Sequence, residues 1–534
     1  MIETEELQHT KESTISKSPI LLVSVFVIAI CGILYELLIS TISSYFQGSS
    51  ILHFSIIIGL FLSFMGVGSY LSRFFKKDLL AWFIRFELIL GIMGGLSTFI
   101  LYLAFSLTPY YYAVVFLLIG ILGAIIGLEI PILTRIIRKY EDLRNAVSNV
   151  LSFDYLGALI ASLLFPLVLL PIFGTMKTAF LIGMLNVSVA IMNSWQFREE
   201  LPNYRQLFAI SWLAQFLLLI GLIFSFQLVS LFEKNLYQDP VLYSQQTPYQ
   251  KLVITRMKDD VRLFINGSIQ FSSKDEYRYH EALVHVPMIL SQNREHVLIL
   301  GGGDGLVARE VLKYSDVQKV TLVDLDQQMT DLGMNHPIIQ RLNEGSLLNP
   351  KVEIVNTDAY KYLENSTDFF SVVIVDLPDP HDTALGKLYS QSFYNIIEKR
   401  MGVGGTIVTQ STSPYHAPKV FWSIHATLGS VFNQHFPYRT YVPAFGEWGF
   451  NLGIKSSDTF DSNKIGDSLP QKIAKLQDYI SNNDSSFNLR YLTPGLVPSL
   501  FEFDKDTKKR DVEINRLDNQ ILIQYYDQSL SNWK

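Results

Sequence analysis

His296-Val297-Leu298-Ile299-Leu300-Gly301-Gly302-Gly303-Asp304-Gly305 joins an uninterrupted apolar run to a cluster of glycines, and this junction decides the fold of the C-terminal half. A short continuous apolar run reads as a strand buried on both faces, which is the habit of parallel sheets covered by helices. Glycines directly after it let the backbone turn tightly and come close to a ligand, as in nucleotide-binding sheets. The reading extends downstream: a helix over Leu306 to Lys313, then strands over Lys319 to Val323, Val352 to Val355, Val372 to Val375 and Gly405 to Gln410. Continuous apolar strands separated by helical stretches predict a doubly wound α/β sheet, Rossmann-like and of the methyltransferase type, with its ligands beyond the C-terminal strand ends.

Acidic residues stand at those ends. Asp324 closes the second strand about 20 residues after the glycines, where a carboxylate accepts hydrogen bonds from ribose hydroxyls. Asp358, followed by Ala359, closes the third and suits an adenine amino group. Directly after Val372 to Val375 comes Asp376-Leu377-Pro378-Asp379-Pro380. Two carboxylates three residues apart at a strand end can both face one cleft. An amine nucleophile with a pKa of about 10.4 arrives protonated and must lose its proton before it attacks. One carboxylate can hold the amine and take that proton while others anchor its cationic groups. Asp304, Asp376 and Asp379 together make a negative site that attracts a primary ammonium and repels a carboxylate.

Upstream, strands over Gln250 to Arg256 and Val261 to Ile265 flank a turn at Lys258 to Asp260, and Asn266-Gly267 leads into Ser268 to Phe271. Asn-Gly between apolar strand residues is a hairpin signal. A helix from Ser273 to Ser291 follows. Before residue 233 the chain is of another kind. Of its 534 residues, 49% are hydrophobic and 17% charged, the mean hydropathy is +0.25, and the excess lies in this first part. Runs long enough for a ~30 Å hydrocarbon layer fall at 20 to 42, 51 to 75, 79 to 105, 110 to 134, 150 to 173, 177 to 195 and 207 to 232. These predict about seven membrane helices, hence a lipid bilayer as partner. The polar start, Met1 to Lys17, lacks the basic character of a secretory signal, so the first apolar segment is expected to be retained. Lys11 and Lys17, Arg73, Lys76 and Lys77, Arg135, Arg138, Lys139 and Arg144, and Arg198 and Arg205 occupy alternate connections, which the positive-inside rule assigns to the cytoplasm. Seven full spans would put the soluble part outside. The expectation is nonetheless a multi-pass protein of the cell membrane with a cytoplasmic catalytic domain. Glu36, Arg85, Glu87, Glu129 and Asp154 lie within the spans and are expected to pair or to line a cavity.

The domains read as a polar tail at 1–19, a transmembrane helical domain at 20–232, a β-hairpin subdomain at 233–272, the Rossmann-like domain at 273–455 and an extension at 456–534. A net charge of −6 gives no sign of nucleic-acid binding. With Cys31 the one cysteine, disulfides and cysteine-ligated metals within the chain are excluded, and no metal site is expected.

Tyr249-Gln250, Tyr279-His280-Glu281 with Leu283, His285, Val286 and Pro287, the glycine turn, Asp358-Ala359, Asp376 to Pro380, Leu388-Tyr389-Ser390 and Phe393-Tyr394 occur in the order of the spermidine synthase family. The resemblance runs from about Tyr237 to Phe503. The multi-span half before it resembles the membrane-bound branch of that family. The resemblance implies a polyamine aminopropyltransferase that moves the aminopropyl group of decarboxylated S-adenosylmethionine to a di- or polyamine, putrescine or a related amine, and releases methylthioadenosine. It implies no tightly bound cofactor, and a homodimer or homotetramer. By resemblance, Asp376 is the general base; Tyr279, His280, Asp304 and Asp379 bind the amine; Gln250, Gly301, Gly303, Asp324, Asp358 and Ala359 bind the cosubstrate. The chain departs from the family in three places. It has Asp324 where Glu is usual, His381-Asp382-Thr383-Ala384 where a Gly-Pro-rich turn is usual, and Phe445-Gly446-Glu447-Trp448-Gly449 near the acceptor. Glu447 and Trp448 are therefore expected in the acceptor pocket. The competing readings are an S-adenosylmethionine-dependent methyltransferase on the same sheet, and a membrane polyamine transporter or sensor with a non-catalytic binding domain.

Overall fold

A computed structural model describes residues 17–47, 50–237, 239–456 and 468–531. Positions 1–16 of the expected tail and 457–467 and 532–534 of the expected extension lie outside them. The chain forms two compact units, Met1–Val241 and Leu242–Lys534. The division falls after the expected 232 because helix Ser225–Leu236 belongs to the first unit, where Phe232 packs on Phe99 and Tyr102.

Among the described residues, five helical stretches of the first unit are long and apolar enough to cross a membrane: Ser18–Phe46, Phe54–Phe74, Tyr111–Ile137, Leu143–Gln196 and Tyr204–Ile223. The pair Leu79–Gly95 and Ser97–Leu107, bent by 44°, makes a sixth. The count falls below the expected seven because Leu143–Gln196 is one stretch of 54 residues, although ~80 Å of helix is more than twice the hydrocarbon thickness. Its two arms run in opposite directions. Along the first helix, Ser18 meets Glu141 and Phe26 meets Gly157, whereas Ser24 meets Asn193 and Tyr35 meets Asn186. The break is Gly174, at φ 66° and ψ −175°. Contacts also sort the helix ends. Lys17 pairs with Glu200 at 2.7 Å, and Arg135 donates to the carbonyls of Ser72 and Phe75 at 2.8 and 2.9 Å. Phe46 packs on Tyr102, Phe105 and Tyr111 at the other end. Of the acids within the apolar stretches, Glu87 accepts from Asn186 Nδ2 at 2.7 Å, and Glu129 is fully buried.

The second unit begins with four strands in sequential order: β1 Val241–Gln246, β2 Lys251–Met257, β3 Asp260–Ile265 and β4 Ser268–Ser272. β2, β3 and β4 pair antiparallel, and Asn266-Gly267 takes the two positive φ values, 50° and 83°, of a tight hairpin turn. Helix Glu276–Leu290 leads to a seven-stranded sheet. Its strands are β5 His296–Gly301, β6 Lys319–Asp324, β7 Val352–Asn356, β8 Phe370–Asp376, β9 Met401–Gln410, β10 Gln434–Val442 and β11 Gly446–Ile454, in the order β10-β11-β9-β8-β5-β6-β7. The first five are parallel, and β11 runs antiparallel to both β9 and β10. Val297 and Ile299 enter the core on one face of the sheet, and Leu298 and Leu300 enter it on the other. This is why the apolar run has no alternation.

From β5 the chain winds outward through β6 and β7, then crosses back to lay β8 on β5's other side. The reversal places the cleft at the C-terminal ends of β5 and β8, where a switch point opens in such sheets. The parallel register sets Gly301 directly against Asp376. The structure adds β1 and the β10–β11 hairpin to the expected strands, starts β9 at Met401, and ends the helix after the glycines at Val311. Of the stretch Phe445 to Gly449, expected near the acceptor, Gly446 to Gly449 open β11.

Candidate active site

The site begins with backbone that cannot carry side chains. Gly301 lies at φ 85°, and a Cβ on it would stand 2.0 Å from the carbonyl oxygen of Asp376. A Cβ on Gly303 would meet Asp324 Oδ2 at 2.6 Å. Instead the bare N–H of Gly303 donates to that oxygen at 3.1 Å, and Asp326 N donates to Asp324 Oδ1 at 2.9 Å. Burial, with Asp326 and Asp304 as negative neighbours, lifts the Asp324 carboxyl to about 6 against two backbone donors.

Asp376 ends β8 with Oδ1 accepting from Tyr279 Oη at 2.6 Å. Its Oδ2 takes no hydrogen bond among the described residues. Burial raises this carboxyl to about 6; Asp304 adds to the rise, while His280 and the Tyr279 hydroxyl oppose it. Asp304 is buried, caps Leu306 N at 2.9 Å, and is raised by burial with His280 working against it.

His280 is held from behind. Its Nδ1 faces both the carbonyl and Oε2 of Glu276 at 2.8 Å. Arg309 grips the same carboxylate through two nitrogens at 3.0 and 2.9 Å. Burial works against a charged imidazole, but Glu276, then Asp304 and Asp376, outweigh it and raise His280. Glu276 is itself buried, yet His280 and Arg309 pull it down to about 2. One turn along the helix, Glu281 receives the backbone N–H groups of Arg490, Tyr491 and Leu492 at 2.7, 3.0 and 2.9 Å. The helix that carries Tyr279 and His280 is thereby tied to the C-terminal segment.

Asp379 sits in a different polar shell. Gln410 Nε2 donates to Leu377 O at 2.6 Å and to Tyr389 Oη at 2.7 Å, and reaches Asp379 Oδ1 only at 3.4 Å. Thr412 Oγ1 and Tyr526 Oη address Oδ2 at 3.3 and 3.2 Å. Thr412 is a β-branched residue at φ 57°, a strained conformation of the kind that gathers at functional sites. Burial raises Asp379, and these donors oppose the rise.

The remaining expected residues are placed as follows. Gln250 Nε2 donates to Asp326 Oδ2 at 2.9 Å, beside the Asp324 turn. Asp358 caps its helix through Tyr360 N and Lys361 N and pairs with Lys387 at 2.6 Å, and against burial these partners hold it below the ordinary carboxylate range. Ala359, buried, starts that helix. Trp448 Nε1 donates to Gln410 Oε1 at 3.2 Å, its ring is 4.9 Å from Phe445, and Phe445 is 6.1 Å from Tyr279. Glu447 departs from expectation. It pairs across the hairpin with Arg439, which also holds Asp504 at 2.8 Å. That carboxylate is neutralised rather than offered to a cationic amine.

Sequence reasoning missed Glu276, Arg309, Gln410, Thr412 and Tyr526, and it named Tyr389 only within a family motif, with no role. Of the missed residues Gln410 carried a usable signal, since it ends a strand beside the two acids. No group of three or more His, Cys, Asp or Glu able to hold a metal occurs among the described residues.

The spermine/spermidine synthase domain family matches residues 276–464. A polyamine aminopropyltransferase of Leptospira interrogans is 43% identical over 507 residues, covering 95% of this chain and 98% of its own. Another, from Ralstonia nicotianae, is 42% identical over 516 residues, with 95% and 98% covered. That of Oceanobacillus iheyensis is 36% identical over 536 residues, with 98% and 99% covered. Among solved structures, a spermidine synthase in complex with the transition state analogue AdoDATO is 26% identical, with a TM-score of 0.44 over 49% of this chain and 85% of its own.

Proposed function

The chain belongs to the spermidine synthase family of polyamine aminopropyltransferases, and we propose that it transfers the aminopropyl group of decarboxylated S-adenosylmethionine to a diamine or polyamine and releases methylthioadenosine. The carrying observation is Asp376: a half-buried carboxylate with one oxygen held by Tyr279 and the other open to the cleft. The acceptor ammonium gives its proton to this carboxylate. The freed nitrogen lone pair attacks the methylene next to the sulfonium, a C–N bond forms, and the C–S bond breaks with its electrons going to sulfur. Sulfur leaves as a neutral thioether, so no group needs to protonate it. A base lifted to about 6 is ionised at pH 7 to 8 and still close enough to operating pH to take part.

Asp324, Gln250, Asp358 and Ala359 are assigned to the nucleoside. Asp304 and His280 are assigned to the aminopropyl arm, and Asp379 to the far ammonium of the acceptor. Tyr279, Phe445 and Trp448 supply aromatic surface for its methylenes and cationic groups. The negative cleft supports decarboxylated over ordinary S-adenosylmethionine, because the latter would bring a carboxylate beside Asp304. Methylthioadenosine release from the detergent-purified full chain, measured with both cosubstrates and a panel of amines, tests the reading. Equal or better turnover with the carboxylated form would reject it.

We further propose a multi-pass protein of the cell membrane with seven spans, Leu143–Gln196 counting as two, and with the catalytic unit in the cytoplasm where its cosubstrate is made. The helix-end contacts weigh against that side. They group Lys17 with Arg135 at one end of the bundle and Phe46 with Tyr102 and Phe232 at the other. Impermeant thiol labelling of Lys77→Cys in intact cells, with Cys31 replaced by Ser, decides. A cytoplasmic catalytic unit on seven spans requires position 77 to label from outside.

A further inference from the structure

The helix Ile521–Ser531 lies beyond residue 464, where the family match ends, yet it reaches the cleft. The segment leading to it is strapped across helix Pro418–Gly429: Trp422 Nε1 donates to Thr507 O at 3.0 Å, Ser423 Oγ to Glu513 O at 2.6 Å, and Asn515 N to Thr427 Oγ1 at 2.9 Å. Asn515 Nδ2 then donates to Gly386 O at 2.9 Å, which ties the strap to the loop that follows Asp379. Leu522 is fully buried in the core on that face of the sheet, Ile523 contacts Gly386, and Tyr526 brings its hydroxyl to Asp379 Oδ2.

The two oxygens of Asp379 are treated differently. Gln410 has two amide protons, and the carbonyl of Leu377 and the hydroxyl of Tyr389 take both at short distance. Oδ1, at 3.4 Å, is therefore left for a ligand. Oδ2 is engaged by two hydroxyl donors, Thr412 and Tyr526. A carboxylate gripped on one oxygen presents the other in a fixed direction, which matters for a flexible diamine whose far ammonium must be held while the near one reacts.

We infer that Tyr526, contributed by the C-terminal helix, is a positioning residue for the acceptor amine: its hydroxyl orients Asp379 so that Oδ1 receives the far ammonium. The inference rests on the assignment of Asp379 to the acceptor. Loss of this orienting bond to a charged group raises the KM for the acceptor about tenfold.

The test is Tyr526→Phe in the full-length enzyme, beside Tyr525→Phe as a control for the strap. Tyr525 Oη accepts from Glu513 N at 3.3 Å and does not bond Asp379. In Y526F the KM for the acceptor rises about tenfold, while kcat and the KM for the decarboxylated cosubstrate stay within about twofold. Its acid limb also moves to higher pH, because Asp379 with one donor fewer protonates more readily. Y525F lowers the melting temperature and leaves the acceptor KM alone. The inference is overturned if Y526F keeps the wild-type acceptor KM, or if it changes only in step with Y525F. Wild-type enzyme that transfers to no amine in the panel overturns the functional reading, and this inference with it. Normal wild-type transfer with an unchanged Y526F overturns the inference alone.

Discussion

Replacing Asp376 by Asn should make the protein inactive and more stable at once. Asn keeps the volume and an acceptor for Tyr279 Oη, but it has no charge and cannot take a proton. Loss of a general base costs about 10² to 10⁴ in kcat/KM. The stability gain follows from the carboxyl's rise from 3.8 to about 6 in the fold. Between those values the native state binds the proton that the unfolded chain has released, so stability falls as pH rises. Above both, the ionised carboxylate costs the fold ~3 kcal/mol, which Asn removes. The gain is an upper value, because Asp376 also helps to hold His280 charged. Methylthioadenosine release and thermal melts of both proteins at pH 8, 6 and 4 provide the assay. The melting advantage of D376N should be several degrees at pH 8, shrink through pH 6 and be gone near 4. Retention of more than about a tenth of wild-type kcat/KM would refute the base assignment. An inactive variant with no added stability at pH 8 would refute the account of a carboxylate raised by its partial burial.

Glu281→Gln removes the charge that three backbone N–H groups share, so a loss of about 2 kcal/mol and a drop of several degrees in the catalytic unit's melt are expected, with kcat little changed. Glu276 is held down to about 2 from 4.5, so it contributes stability that is present above 4.5 and lost as pH falls toward 2. In Glu276→Gln the acid-unfolding curve should flatten over that interval. Gly303→Ala drives a methyl into Asp324 Oδ2 and should raise the calorimetric Kd for methylthioadenosine at least about tenfold, with the fold intact by circular dichroism. Trp448→Phe loses the bond to Gln410 and should raise the acceptor KM more than the cosubstrate KM in steady-state assays.

The parts legible in the sequence were those whose physics is local. Strands β5, β6 and β8 are buried on both faces, so their central residues are apolar apart from the buried Thr321, and the acids at their ends or just beyond, Asp304, Asp324 and Asp376, could be named at once. β10 could not be seen this way. It is an edge strand that carries Pro437 and places His435 and Arg439 among its aromatics, a composition tolerated where one side has no ladder to satisfy. Missing that strand also misplaced Glu447, whose partner Arg439 faces it only once the hairpin exists. The contact between Asp379 and Tyr526 spans 147 residues, and no periodicity or motif links the two. The pair behind His280 was hidden for the same reason: Glu276 and Arg309 become neighbours only when their two helices pack.

The register that sets Gly301 against Asp376 has a consequence for how this enzyme can diversify. Backbone meets backbone there, with no room even for a methyl group, so the spacing between the glycine turn and Asp376 is a property of the sheet itself and is closed to adjustment by point mutation. The opposite wall is built from an edge hairpin and a helix recruited from the far end of the chain, both held by exchangeable side chains. Drift or directed evolution can therefore change which amine is accepted while the reaction stays the same.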